Sequence, residues 1–177
     1  MVIDQEGTKK VAQYGQWDGY PSGVGADVLK FLKDKQSFDK FKANLKKVRF
    51  LEQEGRDKEF VERYDANAPS WTSQPDSRTD EQKRWFDTYC TRDLSAKVLT
   101  NIADSEDSEI LLLDREETGK NNSSVEYCYL IDLNKNTFEV YNHIDEDVLK
   151  VYSLDSLPDE DVFVADISKA EGAEDDE

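Results

Sequence analysis

Few side chains in this sequence have the chemistry for nucleophilic or acid–base work. There is one histidine, His143. Any Ser–His–Asp or Cys–His arrangement has to use it, because imidazole is the base that activates those nucleophiles. Asp145, Glu146 and Asp147 follow it, and such an acidic neighbourhood raises an imidazole's pKa toward the charged form. The plainer reading of His143 is a solvated side chain at the end of a strand. Cys90 and Cys128 are the only cysteines. Two in a chain of this size do not make a disulfide framework, so reduced cytosolic thiols are expected. Cys128 falls mid-strand as a small buried residue, and Cys90 ends an aromatic helix, half-buried. Asp18 lies between Trp17 and Gly19. It suits either a general acid/base or an Asx-turn that bonds its own backbone. In the functional reading Trp17 and Tyr20 wall a small pocket with Asp18 as its polar anchor. In the structural reading both rings are substantially buried, as rings that large must pack against something.

Metal and cofactor chemistry is poorly supported. There is no Cys-x-x-Cys and no His-Glu-x-x-His, so no zinc site is expected. Asp145-Glu146-Asp147 and Asp159-Glu160-Asp161 lack the spacing and turn glycine of an EF-hand. The glycines near Asp18 do not spell Gly-x-x-x-x-Gly-Lys-Ser/Thr. A phosphate cradle also wants a basic residue, and Asp18 is the only charge in that loop. No cofactor is therefore expected. With 40 acids in 177 residues, close carboxylate pairs arise by chance and do not indicate a glycosidase.

These residues hang on elements whose pattern changes along the chain. Val2–Ile3 and the alternation from Val11 predict an N-terminal hairpin, with turn chemistry from Asp4 to Gly7. Gly15 to Gly25 holds four glycines and a proline, which excludes an ordinary helix or strand interior. Apolar spacing then predicts a helix over Asp27–Asp34. A second helix is capped by Ser37 and carries Phe38, Phe41, Leu45 and Val48. Further helices are expected at Arg56–Asn67, after a Thr79/Gln82 capping box, and from Asp93, with a loop at 68–78. The period then shortens. Ile110–Leu113, Val125–Leu133, Thr137–Tyr141, Val148–Tyr152 and Asp161–Ile167 read as strands, with Asn134-Lys135-Asn136 as hairpin chemistry. Residues 170–177 read as an acidic disordered tail. A hairpin, then helices, then antiparallel strands predicts one α+β domain over 1–169.

Length fits one domain. Hydrophobic residues are only 37%, but aromatics are 11%, which favours a folded chain over a disordered one. The net charge of −17 is unevenly spread. Residues 1–103 carry a net +1 and residues 104–177 a net −18, while 30–49 alone carry +6. Phosphate repels so acidic a chain, so direct binding of nucleic acid or anionic lipid is not expected. No apolar run approaches the roughly 20 residues of a membrane span, and no signal peptide is seen.

The run Tyr14-Gly15-Gln16-Trp17-Asp18-Gly19-Tyr20-Pro21-Ser22-Gly23-Val24-Gly25 resembles a motif of small, mostly uncharacterised proteins of bacteriophages, prophages and bacteria. That motif is Tyr-x-(His/Gln)-Trp-Asp-Gly-Tyr-Pro-x-Gly-x-Gly. In those proteins it follows a first strand and precedes a helix. Residues 127–133 and 137–141 also resemble their paired C-terminal strands. Relatives often carry His where this chain has Gln16, so a catalytic His at that position is excluded here. Relatives also often begin with Met-(Gly/Ser)-Thr-Arg; this chain starts close to where the first strand already runs, so no role of that Arg carries over.

The resemblance and the charge together predict a phage- or prophage-type accessory protein in the cytoplasm of a bacterial host. It would act by protein–protein interaction on a host protein with a basic surface. Its acidic half would imitate nucleic acid in the groove of a defence or nucleic-acid-binding protein. The binding residues on this view are Trp17, Asp18 and Tyr20 with Asp145, Glu146, Asp147, Asp159, Glu160 and Asp161. The alternative is a small enzyme with its pocket at the Trp17–Tyr20 loop and Asp18 or His143 as the catalytic group. A domain stabilising a larger assembly comes third. An enzyme needs a pocket where polar groups converge; a mimic needs a continuous acidic face.

Overall fold

Alternating apolar residues near both ends of the chain pair into one sheet, and helices cover it. A computed structural model describes residues 1–15, 17–51, 79–91, 94–116, 125–142 and 148–174. The fold is α+β, as expected. The strands are β1 (Val2–Ile3), β2 (Lys9–Val11), β3 (Val48–Phe50), β4 (Ile110–Leu112), β5 (Tyr127–Asp132), β6 (Thr137–Asn142) and β7 (Val148–Ser153). The helices are α1 (Ala26–Lys33), α2 (Lys35–Asn44), α3 (Asp80–Tyr89), α4 (Lys97–Ala103) and α5 (Glu160–Glu174).

The main sheet runs β2-β1-β5-β6-β7, and β3 and β4 form a small parallel pair. β1 and β2 make the expected hairpin: the Asp4 carboxylate accepts from the Glu6 and Thr8 amides at 2.9 Å each, the sequence's turn chemistry realised. β1 then lies parallel to β5, Val2 opposite Ile131. β5, β6 and β7 form an antiparallel meander, with Asp132 opposite Thr137 closing the β5–β6 turn.

Among the described residues the expected helices form with local corrections. α1 buries Val28, Leu29 and Leu32 on one stripe. The cap of α2 is Asp34 rather than Ser37. The Asp34 carboxylate accepts from the Gln36 and Ser37 amides, and the Ser37 hydroxyl donates to it at 2.7 Å. Val48 is not helical. α2 ends at Asn44, tightens into a 3₁₀ turn over Leu45–Lys47, and enters β3, where Val48 pairs with Ile110. A β-branched residue fits that pairing better than a helical turn. The Thr79/Gln82 capping box forms as read from the sequence.

The largest correction is at the C-terminal end. Asp161–Ile167 belongs to a helix, α5, and not to a strand. Phe163 and Ile167 stand four residues apart, on one helical face, and both are fully buried. Ala165, which a strand would place on the same face as Phe163 and Ile167, stays exposed. Phe163 stacks on Phe138 of β6 at 5.7 Å, so α5 closes the core over the meander. α5 also runs through residues 170–174 of the expected disordered tail, and Glu171 accepts a hydrogen bond from the Tyr127 hydroxyl.

Several expectations lie outside the described residues: the Arg56–Asn67 helix, the 68–78 loop, the helix start at Asp93, and His143 with Asp145, Glu146 and Asp147. No helix among the described residues is long and apolar enough to cross a membrane.

Candidate functional site

The glycine-rich segment is held by its backbone. Asp18 has φ of 54°, a left-handed conformation that Asp tolerates. Its carbonyl accepts from the Val24 amide at 2.9 Å. Pro21–Gly25 forms a single π-helical turn that runs straight into α1. Gly23 is required because a Cβ there would sit 2.5 Å from the Asp18 carbonyl oxygen. Gly25 is required because a Cβ would meet the Tyr129 ring at 2.9 Å and Phe163 at 3.1 Å. The Tyr129 hydroxyl donates to the Gly19 carbonyl at 2.7 Å, tying the tip of the loop to β5.

This frame buries Pro21 and turns the two large rings outward. Trp17 is 68% exposed and Tyr20 55%, so the expectation that they pack in the core is overturned. The physical reason is that close backbone approach, with Pro21 and Gly25 against the sheet, already fills the space that the rings would need. Tyr20 meets only the edge of Tyr127, at 6.3 Å. From there rings continue inward through Tyr129 and Phe138 to Phe163. The loop is thus anchored on an aromatic column while its tip displays two aromatic faces.

Beside the loop runs a groove of about 540 Å³, lined by Trp17, Asp18, Tyr20 and Asp27, with Leu94 and Lys97 opposite. Asp18 does not form the Asx-turn allowed by the sequence: its carbonyl makes the turn, and its exposed carboxylate makes no hydrogen bond or ion pair among the described residues. Asp27 is likewise exposed and unpaired among them. Two aromatic faces and two unengaged carboxylates therefore share one concave surface. That is chemistry for holding a cation, by ring quadrupole and by charge.

A second, smaller cavity of about 130 Å³ lies beneath the loop, against β2, α4 and β5. Val11, Val28, Val98, Leu99 and Ile131 line it, together with Cys128 and Arg115. Asp18 and Cys128 therefore face different spaces. Neither cysteine is in a disulfide. Cys128 lies in a strand, β5, as expected, but is half-buried rather than buried. Cys90 is 1% exposed rather than half-buried, and burial pushes its thiol up to about 12.

The acids at 159–161 do not join the groove. Asp159 precedes α5 and pairs with Lys33 at 2.6 Å, while Glu160 and Asp161 occupy the first turn of α5, where the helix dipole favours negative charge. Lys33 ends α1 and Asp27 begins it, so these acids and the groove sit at opposite ends of a helix about 12 Å long. No group of three or more metal-ligating side chains is found among the described residues.

Two carboxylates escaped the sequence reading altogether: Asp132 and Glu139 are 2% and 5% exposed. Asp132 accepts from the Asn134 and Lys135 amides. Glu139 accepts from the Thr137 hydroxyl at 2.6 Å and from the Tyr141 hydroxyl, and Lys135 faces both acids. Burial, and the bond to Glu139, push the Tyr141 hydroxyl up to about 12. A signal existed. Asp132 before a turn is Asx chemistry, and Thr137, Glu139 and Tyr141 alternate onto one strand face. This cluster is internally satisfied and far better suited to fixing the hairpin than to catalysis.

The molecule is thus an α+β domain with an aromatic and acidic groove. No protein-family model, curated protein or solved structure matches the chain.

Proposed function

We propose that the protein works by binding another protein, with the Trp17–Tyr20 loop as its recognition surface. An arginine or lysine of a basic partner would lie against Trp17 and Tyr20 and pair with Asp18 and Asp27. The observation that carries this reading is the exposure of both rings on a loop whose backbone is fixed. Burying such a ring is worth about 1.5–3 kcal/mol, so an interface that covers them gains what folding leaves unused. Trp, Tyr and well-placed charge are also the chemistry of interaction hot spots. A rigid tip adds little ordering cost on binding.

The charge distribution and the phage-type motif support a finer reading. The partner would be a nucleic-acid-binding or defence protein of a bacterial host, and the net −18 of residues 104–177 would steer the chain into its basic groove. Cytoplasmic action follows from that reading. The enzymatic alternative keeps Asp18 as its acid/base group and requires a substrate seated between Trp17, Tyr20 and Lys97.

The test is a titration followed by backbone and indole amide NMR. The ligands are an arginine–glycine repeat peptide and its glutamate–glycine counterpart. Shifts confined to Trp17–Tyr20 and Asp27 with the arginine peptide, weakened by salt and lost in Trp17→Ala, support the proposal. Shifts centred on α2, equal response to the glutamate peptide, or binding unaffected by Trp17→Ala overturn it.

A further inference from the structure

The smaller cavity beneath the loop has a feature that packing alone does not explain. One side of it is apolar, formed by Val11, Val28, Val98, Leu99 and Ile131, and Arg115 lines it together with Gln13, Ser95 and Tyr129. The Arg115 Nε is buried and makes no hydrogen bond. The guanidinium's one contact of note is Nη2 donating to the Cys90 carbonyl, at a long 3.5 Å. It forms no ion pair among the described residues. Glu116 is the only carboxylate among the described lining residues, and Lys9 holds it in an ion pair that also takes in Asp114. Buried polar groups are almost always partnered, and an orphan commonly marks a missing water, ion or ligand.

We infer that this cavity is a binding site for a small carboxylic acid with a compact hydrocarbon or aromatic body, its carboxylate held by Arg115. The guanidinium presents its donors in a planar fork matched to a carboxylate. The guanidinium has little to give up in exchange, since its Nε is unpartnered and its Nη2 bond to Cys90 is long. The body would rest on Val11, Val28, Val98, Leu99 and Ile131. Size agrees: an apolar cavity of about 150 Å³ accepts benzene, and this one is about 130 Å³. The site shares a wall of Val24, Ser95 and Ala96 with the proposed groove but holds neither Trp17 nor Asp18, and its test does not depend on any protein partner.

Cys128 reports occupancy, because it lines the cavity while Cys90 is fully buried. The experiment measures the rate of Cys128 modification by N-ethylmaleimide, and the melting temperature, with benzoate or its neutral analogue benzyl alcohol present. Benzoate should protect Cys128 and raise the melting temperature, at concentrations at least about tenfold lower than benzyl alcohol, since a charge-assisted pair is worth about a factor of ten or more. Arg115→Gln should erase that difference and leave the benzyl alcohol response in place. Equal potency of the two compounds on the parent chain overturns the assignment of Arg115 as anchor, and decides the matter even if Arg115→Gln does not fold. No response to either compound shows a water-filled packing void and overturns the site.

Discussion

The Gly15–Gly25 loop and the β5–β6 hairpin invert the usual placement of side chains, in opposite directions. In the loop, Trp17 and Tyr20 lie outside. In the hairpin, Asp132 and Glu139 lie inside. The hairpin acids are buried because every one of their partners is local: turn amides, a strand hydroxyl on either side of Glu139, and Lys135. A satisfied carboxylate loses little by leaving water. The loop rings are exposed because its backbone, through Gly23, Gly25 and Pro21, occupies the space against the sheet. Folding accounts for the buried acids fully. It gains nothing from the exposed rings, and that unused apolar surface is where a binding function fits.

The contrast can be broken at several points. Phe163 underlies both regions, stacking on Phe138 of the hairpin and touching the space above Gly25. Phe163→Ala should cost about 3–5 kcal/mol in a denaturant titration; a small loss would mean that α5 is not the lid of the core. Next come two changes of similar size. Glu139→Ala leaves the Thr137 and Tyr141 hydroxyls without their acceptor, and should cost about 1–3 kcal/mol. A neutral or stabilising result would show that the acid was buried for some reason other than fixing the hairpin. Gly25→Ala forces a Cβ against Tyr129 and Phe163 and should cost about 1–3 kcal/mol. If its melting temperature were unchanged, the loop would be looser than its contacts imply, and the exposure of Trp17 would lose its meaning.

The fold class was legible because hairpin chemistry and helical spacing are local signals. Asp4, the Thr79/Gln82 box and the β5–β6 turn all act within a few residues of themselves. The strand reading of 161–167 arises because Val162-Phe163-Val164 is a β-branched and aromatic run, and Phe163, Ala165 and Ile167 fit a period of two as well as 163 and 167 fit a helical turn. Only the partner surface, Phe138 and Tyr152, shows that 163 and 167 are the inward pair. The loop was recognised as specifically shaped, and Trp17, Asp18 and Tyr20 do share one groove. Their exposure was illegible because it depends on Tyr129 and Phe163, more than a hundred residues away. Arg115 carried no sequence signal at all, since its significance lies in a partner it lacks.

The smallest expected change in stability tests the central claim most directly. Trp17→Ala removes a ring that is 68% exposed, so its unfolding free energy should stay within about 0.5 kcal/mol of the parent chain. Affinity for the arginine–glycine peptide should fall together with it by about tenfold or more, the scale of a hot-spot aromatic. Stability and affinity measured on the same Trp17→Ala sample decide between the two roles. Unchanged stability with lost binding is the predicted result. A loss of several kcal/mol, or intact binding with intact stability, would contradict the account of the loop as the surface by which this protein recognises a partner.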